Sequence, residues 1–335
     1  MLLTCKCVWL HKIEKLEQKH NHLYAPLKVL RSSINVSENG STTDPEPIDV
    51  IMCTWNSNKY YFKKCLLSLK REVPVHHFIV VDRYSSDGTI DIVRNVFPEA
   101  RIFQTVANLA NARRAGIAHV DTKYFAFIDD DIEVSEGWFT KLISCLEGGK
   151  QLAATQGFAR YQTDYMDKVQ ERELIHQKGL AKEITSRGYT HNTILRTEVV
   201  RDFNPPSIVH SWEDFLLTQH IIKKGYRWLK IYQAQVIHHR NSPPTLLGEL
   251  HNQFLRAKWN GAGERFVHYG SSPSSQKFVA RVHMVSSFKA LVYSLVTSFV
   301  ASDPRILLLH IVGELGYLIG FFRFNENIVP YDLHI

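Results

Sequence analysis

Short apolar runs alternate with amphipathic segments over the stretch from residue 48 to residue 128. Four of these runs have the length and the β-branched or aromatic content of buried strands: 48–54, 78–82, 101–106 and 124–128. The segments between the strands place apolar residues at helical spacing and predict helices over 59–69, 89–96 and 108–118. Such alternation is typical of a parallel sheet covered on both faces, so the sequence predicts an α/β fold.

Polar residues follow three of these strands at their carboxyl ends. They are Thr54 and Asn56 after the first strand, Asp82 at the end of the second, and Asp129, Asp130 and Asp131 after the fourth. The carboxyl ends of parallel strands share one edge of a sheet, which is where open α/β sheets bind ligands. We therefore expect these side chains to converge on one cleft.

The three consecutive aspartates are the most distinctive feature of this edge. Their carboxylates repel one another, and a divalent cation would offset that repulsion because hard cations prefer oxygen ligands. Asp129 and Asp131 are two residues apart and would point the same way in an extended segment. A solvated acidic turn, or a helix start with Asp in its first turn, is the alternative interpretation.

Two later segments carry further candidate groups. Glu213 and Asp214 stand at the start of a helix predicted to run to about Lys224, with Gly225 as its stop. Because a helix dipole favours acids at that position, simple capping is the alternative for this pair. A strand leading into His238 and His239 would supply a metal ligand or a hydrogen-bonded strand end.

The chain closes with two apolar stretches, 285–301 and 306–322, separated by Asp303-Pro304. Each has about the length of the shortest membrane-spanning helices and carries charge near its middle. We predict an amphipathic helical hairpin on a membrane surface, with core packing as the alternative. The predicted segments are a polar extension and linker (1–47), an α/β domain (48–265) and membrane-associating helices (266–335).

The composition of the chain indicates which classes of ligand it is expected to bind. The 335-residue chain has a net charge of +7, which suits nucleotides, phosphates or acidic lipids. It lacks a dense Lys/Arg block, so nucleic acid is not expected. No GxGxxG or GxxxxGK[ST] motif is present, which argues against dinucleotide-binding and P-loop folds. Five cysteines without a CxxC pair, and no clear signal segment, favour a cytoplasmic location.

Several motifs resemble, in order, those of the inverting GT-A glycosyltransferases of family 2. They are Val50–Asn56, Val80–Thr89, Asn108–Gly116 with Arg113, Asp129–Asp131, Glu213–Asp214, His238–His239 and the spaced residues Gln253, Arg256 and Trp259. The resemblance covers about residues 48–263. It implies a Rossmann-like mixed sheet flanked by helices, followed here by the C-terminal apolar hairpin.

The resemblance also implies a role for each matched residue. Asp214 would be the catalytic base, with Glu213 beside it, and Asp131 with His238 would bind Mg²⁺ or Mn²⁺. Residues implied to bind the nucleotide sugar are Thr54, Asn56, Asp82, Arg83, Arg113, Asp129 and Asp130. Residues implied on the acceptor side are Trp212, Arg256 and Trp259.

Arg83 departs from the family pattern, which has a second Asp that hydrogen-bonds the nucleotide base. An arginine cannot accept a hydrogen bond from the uracil imide, although it can stack on a base or bind phosphate. The donor nucleotide is therefore left open.

The expected activity is metal-dependent transfer of a sugar, with inversion, from a nucleotide-sugar donor to a glycan or polyprenyl-lipid-linked acceptor. Such an enzyme would be peripheral or monotopic on the cytoplasmic face of the cell membrane. A non-catalytic module that binds sugar nucleotides or glycans is the alternative. A nucleotidyltransferase is disfavoured because it would need a Gly-rich phosphate loop.

Overall fold

A nine-stranded mixed sheet forms the centre of the computed structural model. The strands are β1 (Ile48–Thr54), β2 (Val75–Asp82), β3 (Arg101–Gln104), β4 (Tyr124–Ile128), β5 (Ile132–Val134), β6 (Leu152–Tyr161), β7 (Lys182–Thr185), β8 (Asn192–Arg196) and β9 (Arg227–His238). Their order is β3-β2-β1-β4-β8-β6-β9-β5, with β7 paired to β9.

The helices connect the strands and extend the chain beyond them. They are α1 (Phe62–Glu72), α2 (Thr89–Val96), α3 (Leu109–Ile117), α4 (Trp138–Gly148), α5 (Thr197–Val200), α6 (Glu213–Lys223), α7 (Leu246–Glu264) and α8 (Arg305–Arg323). The structure describes residues 45–161, 182–206, 212–239, 245–265 and 303–323, with isolated helical positions between 291 and 298. Most of the predicted linker, and most of the first C-terminal apolar stretch, lie outside these residues.

Four parallel strands, β3-β2-β1-β4, make up the half of the sheet that the sequence predicts as parallel. β1, β4 and α2 have the predicted bounds, and Gly225 follows α6 with a φ of +83°, as expected for a helix stop. β8 pairs with the other side of β4 in the antiparallel direction, with Ile128 opposite Asn192. The sheet is therefore mixed, as the family resemblance implies, rather than parallel throughout.

Helices cover both faces of the sheet and form two separate cores. Alternate residues of β1 point to opposite faces: Val50 and Met52 pack with α1, α2 and α4, whereas Ile51 packs with α3, α5 and α6. This burial on both faces explains why β1, β2 and β4 have continuous apolar sequences. It also places α3 and α6 on the same face, where they hold the polar groups described below.

The C-terminal helix α8 packs closely against α7. A Cβ atom on Gly320 would lie 1.8 Å from the carbonyl oxygen of Lys258, and one on Gly316 would lie 2.4 Å from that of Phe254. Small residues at such positions allow two helix backbones to approach. Among the described residues, Arg305–Phe322 is the one helix long and apolar enough to cross a membrane, and 28% of it is buried inside the chain.

Candidate active site

The three aspartates after β4 lie in a turn, and each contacts a different partner. Asp129 accepts a hydrogen bond from Arg113 Nη2 at 2.8 Å, Asp130 accepts one from the hydroxyl of Ser57, and Asp131 Oδ2 lies 3.0 Å from His238 Nε2. The segment is not extended, because the Ile132 amide donates to the Asp129 carbonyl at 3.2 Å. The expectation that Asp129 and Asp131 point the same way was based on an extended segment and does not apply to this turn.

Arg113 links this turn to the start of α6. Its guanidinium is 6% exposed, and Nη1 lies 2.5 Å from Glu213 Oε1 and 3.4 Å from Asp214 Oδ1. The side chain comes from α3, whose start is capped by Asn108 Oδ1 accepting from the Asn111 amide at 3.0 Å. In this structure Arg113 therefore contacts carboxylates on both sides of the site.

Glu213 and Asp214 occupy the first turn of α6, and Trp212, the residue before them, makes no side-chain capping bond. Asp214 Oδ1 instead accepts hydrogen bonds from the Thr190 amide at 3.2 Å and from the Thr190 hydroxyl at 2.5 Å. The residue before them, Trp212, has a φ of +76°, a left-handed conformation that is rare for a bulky side chain. Both acids therefore lie in the first helical turn, as the capping alternative has it, and they also contact Arg113 and Thr190.

Burial and charge change the proton affinities of these groups. Burial raises the pKa of Glu213 and of Asp214, and the Arg113 charge only partly offsets that rise. Burial also acts to raise the pKa of Asp129, but the charge of Arg113 and the hydrogen bond it donates outweigh burial, so that pKa is lowered. Asp129 thus stays ionised in the same site as Glu213 and Asp214, which bind protons more readily than usual.

Asp131 and His238, which the family resemblance implies as metal ligands, lie beside each other. β5 and β9 bring them together, because Ile132 pairs with His238 and the His239 amide donates to the Asp131 carbonyl at 2.8 Å. His191 stacks on His238 with ring centroids 5.4 Å apart, and burial lowers its pKa to about 3, so its ring is neutral. A carboxylate oxygen and an imidazole nitrogen are ligands that Mn²⁺ accepts, and Mg²⁺ accepts the oxygen.

His239, the neighbour of His238, has a different partner. Its Nε2 atom lies 2.9 Å from Glu133 Oε2, which also accepts from Lys64 Nζ at 2.9 Å. The ring of Tyr61 stacks on it with centroids 5.1 Å apart. His239 is therefore part of a hydrogen-bonded strand end, while His238 faces the aspartate turn.

Asp82 and Thr54 hold the first two strand ends together. Asp82 is fully buried and accepts from Thr54 Oγ1 at 2.8 Å, from the Ser85 amide at 2.8 Å, from Ser85 Oγ at 2.5 Å and from Gln104 Nε2 at 3.2 Å. A carboxylate has about four acceptor positions, so protein donors already use all of them. In this structure the hydrogen bonds of the two residues hold the loop after β2 in place.

Asn56 and Arg83 lie at the same two strand ends. Asn56 has a φ of +48°, its amide donates to Ser85 Oγ at 2.8 Å, and its Oδ1 accepts from the Ser86 amide at 3.0 Å. The Arg83 guanidinium lies over the ring of Trp55, 4.8 Å from its centroid. The loops after β1 and β2 are thus bonded to each other.

The three residues predicted on the acceptor side lie on or next to α7. Arg256 is exposed and Trp259 is half-buried on this helix. A Cβ atom on Gly263 of the same helix would lie 2.5 Å from Trp212 Cδ1. The guanidinium of Arg187 lies over the indole ring of Trp212, 4.9 Å from the ring centroid.

Ser57, Thr190 and His191 belong to the site but were not singled out from the sequence. Thr190 and His191 precede β8 and contact the site only because β8 lies beside β4. Ser57 follows Asn56 closely and could have been found as a polar residue after β1. Neither a sequence motif nor hydrophobic periodicity indicates that Thr190 or His191 belongs to the site.

A separate polar cluster lies at the opposite, amino edge of the same strands. Asp49, His76 and His77 place one ligand atom each within 4.8 Å of one another, close enough to hold a metal ion. The oxygens of Asp49 already accept from the Asp121 amide at 2.6 Å and from the Thr122 amide at 3.2 Å. The cluster is far along β1 from the aspartate turn, because Asp49 begins the strand that ends at Thr54.

Comparisons with known proteins agree with this fold. Residues 49–203 match the family model described as glycosyl transferase family 2. The chain is similar to the structure of the mannosyltransferase PcManGT from Pyrobaculum calidifontis in complex with GDP-Man and Mn²⁺. That likeness has a TM-score of 0.56 and 16% identity, and it covers 83% of this chain and 87% of the other. A comparison with curated proteins gave no match.

Two further solved structures show weaker likeness. GalNAc-T7 with UDP, GalNAc and Mn²⁺ has a TM-score of 0.48 and 13% identity over 70% of this chain and 54% of the other. S. aureus TarS has a TM-score of 0.47 and 16% identity over 82% of this chain and 54% of the other. The family 2 glycosyltransferase match covers residues 49–203, just under half of the chain, and the mixed sheet around these residues has the GT-A fold.

Proposed function

We propose that this chain is an inverting, metal-dependent glycosyltransferase that moves a sugar from a nucleotide-sugar donor to a glycan or polyprenyl-lipid-linked acceptor. The observation that carries the proposal is the bridge made by Arg113. One buried guanidinium binds Asp129 at 2.8 Å on the donor side and Glu213 at 2.5 Å beside the candidate base. The similar mannosyltransferase structure holds GDP-Man and Mn²⁺, which is consistent with this proposal.

Asp131 and His238 are the residues that would hold Mg²⁺ or Mn²⁺. When bound, such a cation neutralises the charge that a diphosphate leaving group develops. Arg113 holds the side chain of Asp129 beside this pair, and the lowered pKa of Asp129 keeps its carboxylate ionised toward the donor. The donor-side charges are therefore positioned before substrate binds.

Asp214 is the proposed general base for the acceptor hydroxyl. Thr190 orients its carboxylate, and burial raises its pKa, which makes it a stronger proton acceptor than an exposed aspartate. Glu213 keeps Arg113 in place and thereby keeps the positive charge close to the base. Attack by the deprotonated oxygen from the face opposite the leaving group inverts the anomeric centre in one step.

The proposal is tested by incubating the protein with sugar nucleotides and Mn²⁺ and measuring release of nucleoside diphosphate, with and without acceptor. We expect release with one donor class and loss of release in excess EDTA. Asp131→Ala should abolish it, while the control Asp91→Ala, on the exposed side of α2, should not. A protein that binds donors but releases no diphosphate would be the non-catalytic binding module instead.

We also propose that α8 holds the enzyme on the cytoplasmic face of a membrane, beside a lipid-linked acceptor. Leu308, Ile311 and Leu315 lie on one face of α8 and are 39%, 41% and 53% exposed. Co-sedimentation with anionic liposomes should weaken in a Leu308→Gln/Leu315→Gln double variant. The matched control is Leu67→Gln on α1, where a similarly exposed leucine (48%) should have no effect. A chain that ignores anionic liposomes would remove the support for a lipid-linked acceptor.

A further inference from the structure

Trp55 and Arg83 form a stacked pair at the carboxyl ends of β1 and β2, which we name the Trp55–Arg83 platform. The guanidinium lies 4.8 Å from the centroid of the indole ring. The Arg83 amide donates to the Thr54 carbonyl at 2.9 Å, which ties the two strand ends together. Arg83 takes part in none of the ion pairs formed by the described residues, so no carboxylate of that part of the chain competes for its N–H donors.

The topology directs the donor's nucleoside toward this platform. β4, which carries the aspartate turn, lies between β1 on one side and β8 on the other. The candidate base Asp214 is bonded to Thr190, at the start of β8. The transferred sugar has to lie between the turn and Asp214, so the rest of the donor extends in the other direction, over β1 and β2.

The loops under the platform are rigid enough to present it in one orientation. Asn56 and Tyr84, the residues that follow Trp55 and Arg83, both have left-handed backbones, with φ values of +48° and +51°. The Asn56 amide donates to Ser85 Oγ at 2.8 Å, so one loop is bonded to the other. Left-handed backbone at non-glycine residues is held only where surrounding bonds impose it, and such residues cluster at ligand sites.

Asp82 is not available to accept a hydrogen bond from a nucleobase. Its two oxygens receive four protein donors, and its side chain is fully buried. A uracil base presents an N3–H donor between two separate carbonyl oxygens, so it offers an arginine no pair of adjacent acceptors. Guanine instead presents O6 and N7, two adjacent acceptors that match the two parallel N–H groups of an arginine.

We propose that the Trp55–Arg83 platform binds the nucleobase of the donor and selects guanine over uracil. The inference rests on the proposed function, since it names the donor class for the same site. Trp55 supplies a stacking surface for the base, and the guanidinium supplies a bidentate pair of hydrogen bonds. Stacking on Trp55 restrains the arginine, so less conformational freedom is lost on binding.

Direct binding measurements test this assignment on the full-length protein. The dissociation constants of GDP, UDP, ADP and CDP are measured by calorimetry in the presence of Mn²⁺. We expect GDP to bind roughly 5- to 150-fold more tightly than UDP, the discrimination that one bidentate contact provides. Arg83→Met keeps an apolar stem on Trp55 but removes every donor, so it should abolish the preference for GDP and leave UDP binding unchanged.

Two further variants separate base recognition from a phosphate contact. Arg83→Lys keeps the charge but loses the planar pair of donors, so it should resemble Arg83→Met if the base is read. If Arg83 binds phosphate instead, Arg83→Met will weaken all four nucleotides alike and Arg83→Lys will restore them, which overturns the proposal. The control is Arg71→Met at the far end of α1, where the side chain is 63% exposed and should not affect any nucleotide.

The outcomes also distinguish this inference from the proposed function. A wild-type preference for UDP, with normal release of nucleoside diphosphate from UDP-sugars, overturns the guanine assignment alone. Failure of all four nucleotides to bind, together with no turnover of any sugar nucleotide, overturns both.

Discussion

The amino and carboxyl edges of the parallel strands each carry a cluster of charged side chains, and the two clusters differ in which groups bond to their carboxylates. At the amino end, Asp49 is fully buried and accepts from the amides of His77, Asp121 and Thr122 and from the ring of His76. At the carboxyl-end site, Glu213 and Asp129 are held by one side chain, Arg113. Backbone donors cannot move away without unfolding, whereas a side chain can change partners when a ligand binds.

The pKa values of the carboxyl groups also differ between the two clusters. Burial acts to raise the pKa of Asp49, but the Asp121 amide and the His76 ring outweigh it, so that pKa is lowered. At the other end, burial raises the pKa of Glu213 and of Asp214 despite Arg113. The bonds to Asp49 therefore stabilise its ionised form in the folded chain. The ionised forms of Glu213 and Asp214 are instead less stable in the folded chain than in water, which is common at catalytic sites.

The largest expected effect is on turnover at the carboxyl end. Asp214→Asn keeps the size of the side chain but cannot accept a proton, so turnover should fall by about 10²- to 10⁴-fold while donor affinity stays near normal. The measurement is product formation at saturating donor, with Asp202→Asn as an exposed control far from the site. If donor affinity collapses while bound donor still reacts, Asp214 has a structural role.

The next effect is on stability at the amino end. Asp49→Asn places an amide group against backbone donors and leaves at least one of them unpaired, so we expect a loss of about 1–3 kcal/mol in unfolding free energy. Turnover per folded molecule should not change. Urea denaturation followed by fluorescence measures the first quantity, and active-site titration corrects the second. A variant that is stable but inactive would mean that the amino-end cluster takes part in the reaction.

The smallest effect, and the sharpest contrast, is in how stability depends on pH. The folded-state pKa of Glu213 is raised above its ordinary value of 4.5, so the folded state binds more protons and stability falls as pH rises above that value. Glu213→Gln should therefore gain stability relative to wild type between about pH 4.5 and pH 8.

Asp49 should behave in the opposite sense. Its folded-state pKa lies below the ordinary 3.8, so its contribution is present above that value and is lost as pH falls through the folded-state pKa. The difference between wild type and Asp49→Asn should therefore shrink only in strong acid. Thermal unfolding in metal-free buffer across this range checks both slopes, and slopes of the same sign would contradict the comparison.

Much of the α/β domain could be predicted from local pattern alone. The continuous apolar runs of β1 and β4 predict strands buried on both faces, and these strands have the predicted bounds. The polar residues at their carboxyl ends predict a shared edge, because parallel strands place like ends together. The resemblance to family 2 glycosyltransferases is confirmed by the family match over residues 49–203.

Individual side-chain roles were less predictable. Asp82 reads as a ligand-binding residue in the sequence, but four protein donors already occupy its oxygens in the folded chain. Arg113 reads as a nucleotide contact, yet it bridges residues 16 and 100 positions away in the chain. Neither set of partners leaves a mark in local sequence.

The C-terminal segment also has a packing partner that its local sequence does not indicate. The apolar length of 306–322 predicts a helix, and α8 is present. Its closest described neighbour is α7, through glycines that admit the backbone of that helix, rather than the predicted hairpin partner at 285–301, which lies mostly outside the described residues.

The sequence by itself determined the order of strands and helices, the acidic edge and the family, because those depend on short-range periodicity and on motifs of a few residues. Only the tertiary structure decided which carboxylates bind Arg113 and which carboxylate accepts hydrogen bonds from backbone amides. It also decided which of the two histidines contacts Asp131. Those pairings arise where β8 and β9 return beside β4 and β5. A hydrogen bond depends on distances of about 3 Å between groups that the chain separates by up to 107 residues.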